Sequence, residues 1–164
     1  MANIQNVKIG ASAITFDGDD LGHTKGGVEV TIETEKVEIT VDETGNTIRD
    51  YSLLGQKMKV KVALAESQIA NLGIAIPMGE SLLTGTKLKI GQAVGERYGD
   101  HAAQLSLRPF GETTAANDIV LYKAIVADDV TINYTNDDQR VVEVTFEALY
   151  DETNTGLGHF GVTA

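Results

Sequence analysis

The chain has 164 residues, a formal charge of −11 at pH 7, 42% apolar and 23% charged residues, and no cysteine. That length suits one domain, and the balance is that of a folded chain rather than a disordered one. The missing cysteines exclude disulfides, thiolate nucleophiles and Cys-ligated zinc, and the acidic charge argues against a lysine- and arginine-based grip on nucleic acid.

The opening run Met1 to Gly10 has one lysine and no long apolar core, so it does not read as a secretory signal. No stretch reaches the ~20 apolar residues needed to span a bilayer. The expectation is a protein made in the cytoplasm, with residues 1–20 as an N-terminal arm. Within that arm, Asp17-Gly18-Asp19-Asp20 reads as a solvated turn, since it lacks the ligand ladder and terminal glutamate of a calcium loop.

Period-two alternation starts after Gly26 and Gly27. Val28, Val30 and Ile32 point one way, and Glu29, Thr31 and Glu33 the other, which predicts a strand with one buried and one wet face. The pattern resumes after Glu35-Lys36, with Val37, Ile39 and Val41 opposite Glu38, Thr40 and Asp42. Two such segments predict a hairpin.

Residues 43–56 read as an extended inter-strand loop, too irregular for a regular element but carrying Ile48, Tyr51, Leu53 and Leu54. Loops usually shed such residues. Either they fold back over the core or they anchor on another subunit, and the pattern alone leaves both open. The next strand sets Met58, Val60 and Val62 against Lys57, Lys59 and Lys61. A lysine row is a solvated face, an edge guard, or a partner for the acidic rows on a neighbouring strand.

One short helix is predicted over Glu66 to Leu72, burying Ile69 and Leu72 and ended by Gly73, with Pro77 forbidding continuation. The glycine-rich middle predicts short strands, one around Leu88 to Ile90. Strands then follow at Ala103 to Leu107, Ile119 to Val126, Val130 to Tyr134 and Val142 to Ala148. Unbroken apolarity from Ile119 to Val126 predicts a central strand covered on both faces. Residues 156–164 form a glycine-rich tail. Many short strands with one helix predict a mainly β fold, a sandwich or barrel with one short flanking α-helix and long loops, in a single domain over 1–164.

Chemistry is sparse. Gly156-Leu-Gly-His-Phe-Gly161 fits a dinucleotide fingerprint in letters, but too few residues follow it to open the required helix. There is no P-loop motif, and the Ser81 neighbourhood lacks the second glycine of a nucleophile elbow. His23, His101 and His159 are scattered, with no helical pair. The expectation is no enzyme, no cofactor and no metal. With 24 acidic residues, an acidic hydrolase built on a chance carboxylate pair stays an alternative. So does a ligand- or carbohydrate-binding sandwich from a phage or cell surface, although the chain has no tryptophan for sugar stacking.

The segments Leu21-Gly-His-Thr-Lys-Gly-Gly-Val-Glu-Val-Thr-Ile32, Val37-Glu-Ile-Thr-Val-Asp42 and Ala63-Leu-Ala-Glu66 resemble the major tail tube proteins of bacteriophages. So does Tyr134-Thr-Asn-Asp-Asp-Gln-Arg-Val-Val-Glu-Val-Thr-Phe-Glu-Ala-Leu-Tyr-Asp151. Together the similar stretches cover about Leu21 to Leu72 and Lys123 to Asp151. The resemblance implies a sandwich that closes, as six copies, into rings stacked as a hollow tube for DNA passing into the host. It places the protein in the virion tail, assembled in the host cytoplasm. Its implied partners are sister copies, tape measure, baseplate or tail-terminator proteins, and a sheath where the tail contracts. DNA would pass without specific binding.

In such tubes the loop between the second and third strands reaches the adjoining ring. The resemblance therefore makes Ile48, Tyr51, Leu53 and Leu54 candidate inter-ring contacts. Glu29, Glu33, Glu38 and Asp42 become candidates for the channel wall, where acid offers DNA no adhesive contact.

Overall fold

The structure, a computed structural model, describes residues 12–66, 68–77, 83, 84, 87–91, 94–130, 132 and 141–161. Expectations that fall on 1–11, 131, 133–140 and 162–164, including the turn at Asn136–Gln139, lie outside the described residues.

Among the described residues, ten strands follow in chain order: β1 (Ser12–Phe16), β2 (Asp19–Asp20), β3 (Thr24–Ile39), β4 (Asp50–Leu64), β5 (Leu83–Thr84), β6 (Lys87–Leu88), β7 (Ala103–Pro109), β8 (Ile119–Val126), β9 (Val142–Leu149) and β10 (Gly158–Phe160). One helix, α1 (Ile69–Ala75), lies between β4 and β5. Eight strands form one antiparallel sheet in the order β2-β1-β7-β8-β9-β4-β3, with β10 added on β8, and β5 and β6 form a separate pair. The sheet is mainly β and sandwich-like, and it does not close into a barrel.

The sheet folds over on itself. Phe16 in β1 and Phe146 in β9 are separated in the strand order by β7 and β8, yet their rings meet with centroids 5.3 Å apart. Between the two halves lie Ile14, Leu21, Val60, Val62, Leu64, Leu105, Leu121, Val142 and Val144, all fully buried. Each is the inward member of an alternating strand, or caps one, so period-two burial builds the core directly. Residues 12–20, expected as part of an N-terminal arm, belong to the packed body: Ile14 and Phe16 are core residues, and Asp17-Gly18, both at positive φ, turn the chain into β2.

The central strand is β8. On one side β7 pairs with it from Ile119 to Ala124; on the other, β10 pairs with Ile119 to Leu121 and β9 with Lys123 to Val126. Both faces are largely covered, as its unbroken apolarity predicts. Gly158–Phe160 of the glycine-rich tail are bound in the same way, because β10 lies along β8 and the Gly158 Cα sits so close to the Val120 carbonyl that a Cβ would collide with it. Beside it, the Arg108 guanidinium forks onto Asp118, with Nε 3.0 Å from both carboxylate oxygens. The Asp118 carbonyl in turn accepts the Gly161 N–H at 2.7 Å.

Several boundaries differ from expectation. The helix begins at Ile69 rather than Glu66 and runs through a buried Gly73 to Ala75. What ends it is Pro77, which forces Ile76 into an extended conformation (φ −82°, ψ 130°). Leu72 packs on the core, but Ile69 stays exposed. The strand expected at Leu88 to Ile90 is the two-residue β6, with Ile90 exposed outside it.

The largest difference is at β3. Glu35-Lys36 makes no turn: the strand runs unbroken for 16 residues, and its hairpin partner β4 for 15. Residues 50–56, expected as loop, belong to β4, and the true connection spans only 40–49, with a 3-10 turn at Asp42–Thr44 and Gly45 at φ 60°.

Candidate assembly surface

The β3–β4 hairpin has two parts. From Lys59 to Leu64, β4 is paired on its other side by β9, and here Val60, Val62 and Leu64 are buried. Beyond Lys59 no third strand joins among the described residues. Ile32–Ile39 and Asp50–Lys57 continue outward as a two-stranded arm, about 24 Å long at roughly 3.3 Å per residue.

The arm interleaves exposed apolar side chains with its polar ones. Ile32, Val37, Ile39, Tyr51, Leu53 and Leu54 are all exposed, as is Ile48 in the connection, with Leu53 at 61% and Leu54 at 67%. The four residues Ile48, Tyr51, Leu53 and Leu54 are thus brought together on one projecting element. Ile32, Val37 and Ile39, expected on a buried face, join them there.

A bulge explains how the arm presents apolar groups on both sides. Glu35 opposes Gly55 and Lys36 opposes Leu53, so Leu54 is an extra residue on β4. On the core side of the bulge the even-numbered residues of β4 face inward. Past it, Tyr51 and Leu53 continue that face, where Lys36 Nζ sits 4.2 Å from the Tyr51 ring centroid. β3 has no extra residue at this point, so its alternation carries Val37 and Ile39 onto the face of Glu33 and Glu35.

The same parity separates the four acidic candidates. Glu29 and Glu33 share the outward face of the sheet, opposite Lys61 and Lys57. Glu38 pairs with Tyr51 on the other face of the strand, and Asp42 sits in the 3-10 turn at the arm's tip. They do not form one acidic row. The outward face of β3, β4 and β9 is instead a mixed-charge lattice, with a shallow groove lined in part by Glu29, Glu33, Lys59, Lys61, Asp128 and Glu143.

Within that lattice the lysine row lies between two carboxylate rows. Lys57 Nζ is 2.8 Å from Glu35 Oε1, and Lys61 Nζ is 3.0 Å from Glu143 Oε2 on β9. The Lys57 ammonium is held above its ordinary value by the hydrogen bond and charge of Glu35, with Glu33 and Glu147 adding to the field. Glu35 is correspondingly lowered, through its hydrogen bond to Lys57 and that ammonium's charge.

The histidines are apart. His159 Nδ1 lies 3.1 Å from the Tyr122 hydroxyl, the His23 N–H donates to Glu66, and His101 is near Glu96. Among the described residues, no three His, Asp or Glu side chains converge as a metal-holding group, and no helix is long and apolar enough to cross a membrane.

No protein-family model matches this sequence, and no curated protein matches it either. Among solved structures, the fold is similar to a chain described as the tail of an empty GTA (gene transfer agent) particle, obtained by helical refinement with C6 symmetry. The TM-score is 0.51 at 9% identity, over 88% of this chain and 86% of that one, so what the two share is a fold across nearly their whole lengths.

Proposed function

We propose that this chain is a non-catalytic, tube-forming subunit of a phage-like tail, closing head to tail into six-membered rings that stack around a channel for DNA. The observation that carries the reading is the arm. A two-stranded ribbon standing alone is marginal in water, and contiguous exposed apolar side chains mark a surface that another molecule covers. Here those side chains project from the body on a ribbon whose strand β3, last in the sheet order, has no further strand on its outer edge among the described residues.

A sister copy is the occupant that these features favour. Every copy carries the same arm, and a heterologous contact repeated by rotation generates a ring, while rings with complementary ends stack. The fold likeness to a chain of a C6 tail supports six as the number and a virion tail as the place. Tape measure, baseplate or terminator proteins, and a sheath in a contractile tail, are the partners this role would bring.

Electron microscopy of the purified protein over a range of concentrations tests the reading. Rings and tubes with six-fold end views are expected. Monomers that persist at every concentration and bind glycans would replace it with a binding module. Turnover of a glycoside, lost on changing a single carboxylate, would replace it with a hydrolase.

A further inference from the structure

The lysine row is hard to reconcile with a conduit for a polyanion. Three ammonium groups at alternate positions on one strand, Lys57, Lys59 and Lys61, repeat about every 7 Å, a spacing well suited to successive phosphates. Their neighbours change what they offer. On β3, Glu33 and Glu29 stand directly across from Lys57 and Lys61. On β9, Glu147 stands directly across from Lys59, and Glu143 reaches Lys61 at 3.0 Å. Each lysine has a carboxylate beside it on at least one flank.

We propose that Glu29, Glu143 and Glu147, with Glu33 and Glu35 beside Lys57, mask the Lys57–Lys59–Lys61 row and so make this face non-adhesive to nucleic acid. The physical reason is counterion release. A lysine gains affinity for DNA by displacing condensed cations from a phosphate, and an ammonium already neutralised by a carboxylate must first give that partner up. Carboxylates on both sides also place negative charge where the phosphate would have to sit. Glu143 and Glu147 fall outside the four acids that the sequence singles out. The inference builds on the conduit role, but masking is a property of the single subunit and is measurable without any tube.

The test is binding of a short double-stranded DNA to the soluble subunit, below the concentration at which it assembles. The wild-type protein is expected to leave the DNA unshifted, and the variant Glu29→Gln/Glu143→Gln/Glu147→Gln to gain at least about tenfold in affinity. With Lys59 and Lys61 unmasked and two phosphates engaged, that binding weakens roughly 12-fold between 50 and 200 mM salt. Adding Lys57→Gln, Lys59→Gln and Lys61→Gln is expected to abolish the gain. The milder pair Glu29→Gln/Glu147→Gln gives an intermediate gain and serves if the triple variant does not fold. A control, Glu38→Gln/Asp42→Asn/Glu43→Gln, removes the same three charges on the arm and is expected to do nothing.

DNA binding unchanged in the masked-site variants, an equal gain in the control, or a gain that survives loss of the lysines would each overturn masking. Failure to form tubes in the microscope, with masking intact, would instead overturn the conduit role alone.

Discussion

Lys57 stands directly across from Glu33 in the β3–β4 ladder, yet its ammonium lies against Glu35, two residues further out along the arm, at 2.8 Å. The residue that faces Glu35 is Gly55, which has no side chain, so the glutamate leans back to the nearest cation. The bulge thereby couples the charge lattice of the body to the base of the arm.

Replacing Lys57 by methionine removes both causes of the lowered Glu35 titration. The Glu35 carboxyl is expected to rise toward its ordinary 4.5, read by NMR during a pH titration. Both side chains are at least half exposed, so solvent screens the pair and the thermal midpoint should hardly move. A Glu35 titration that stays put in the variant would mean the bond is absent in solution.

Tyr51→Ser together with Leu54→Ser is expected to leave a folded subunit that no longer forms long tubes. Both side chains are exposed in the subunit, and the lost contact of Lys36 with the Tyr51 ring accounts for at most about 1 kcal/mol. Circular dichroism and electron microscopy separate the two effects. Normal tubes from the double variant would remove the arm from the assembly contacts.

The arm also marks where sequence reading stops. Val28, Val30, Val60 and Val62 were legible because a core enforces their parity, and β7, β8 and β9 were placed close to their observed bounds for the same reason. The apolar positions then switch from even (28, 30, 32) to odd (37, 39), which in a half-buried strand implies a break. No core constrains the arm, so β3 simply continues and exposes Val37 and Ile39. The compensating residue, Leu54, is a bulge on the partner strand, and nothing local in the sequence announces it. Among the candidate sites, the four apolar residues of 48–54 lie on one projecting element, while Glu38 parts from Glu29 and Glu33 through that same unbroken alternation and Asp42 through its place in the turn at the tip.

Gly158→Ala tests whether the tail is bound to the body. An added Cβ would meet the Val120 carbonyl, which is ladder backbone and cannot swing aside. The expected cost is roughly 1–3 kcal/mol, as overpacking or as release of β10 from β8. Hydrogen exchange distinguishes these outcomes: release would deprotect the β10 amides and leave β9 unchanged, and a variant as stable as the wild type would show that the close approach does not exist.

Asp151 gives the fold a pH dependence whose direction is set by competing causes. It is nearly buried, and burial alone would raise its pKa, but hydrogen bonds from the Asn154 side chain (2.6 Å) and Lys123 (3.1 Å), with the Asn154 N–H, more than offset that and hold it below its ordinary 3.8. A group with a lowered folded pKa stabilises above its unfolded value and loses that contribution as pH falls through the folded one. Asp151→Asn should therefore be less stable than the wild type by a constant amount between about pH 5 and 7, with the gap closing below about pH 4. The turn that Asp151 organises, closed by its backbone bridge to Gly156, delivers the chain to β10, so the same variant should also loosen the amides of residues 158–160 at neutral pH. A stability gap that persisted unchanged into acid would show that the loss came from altered packing and not from the charge.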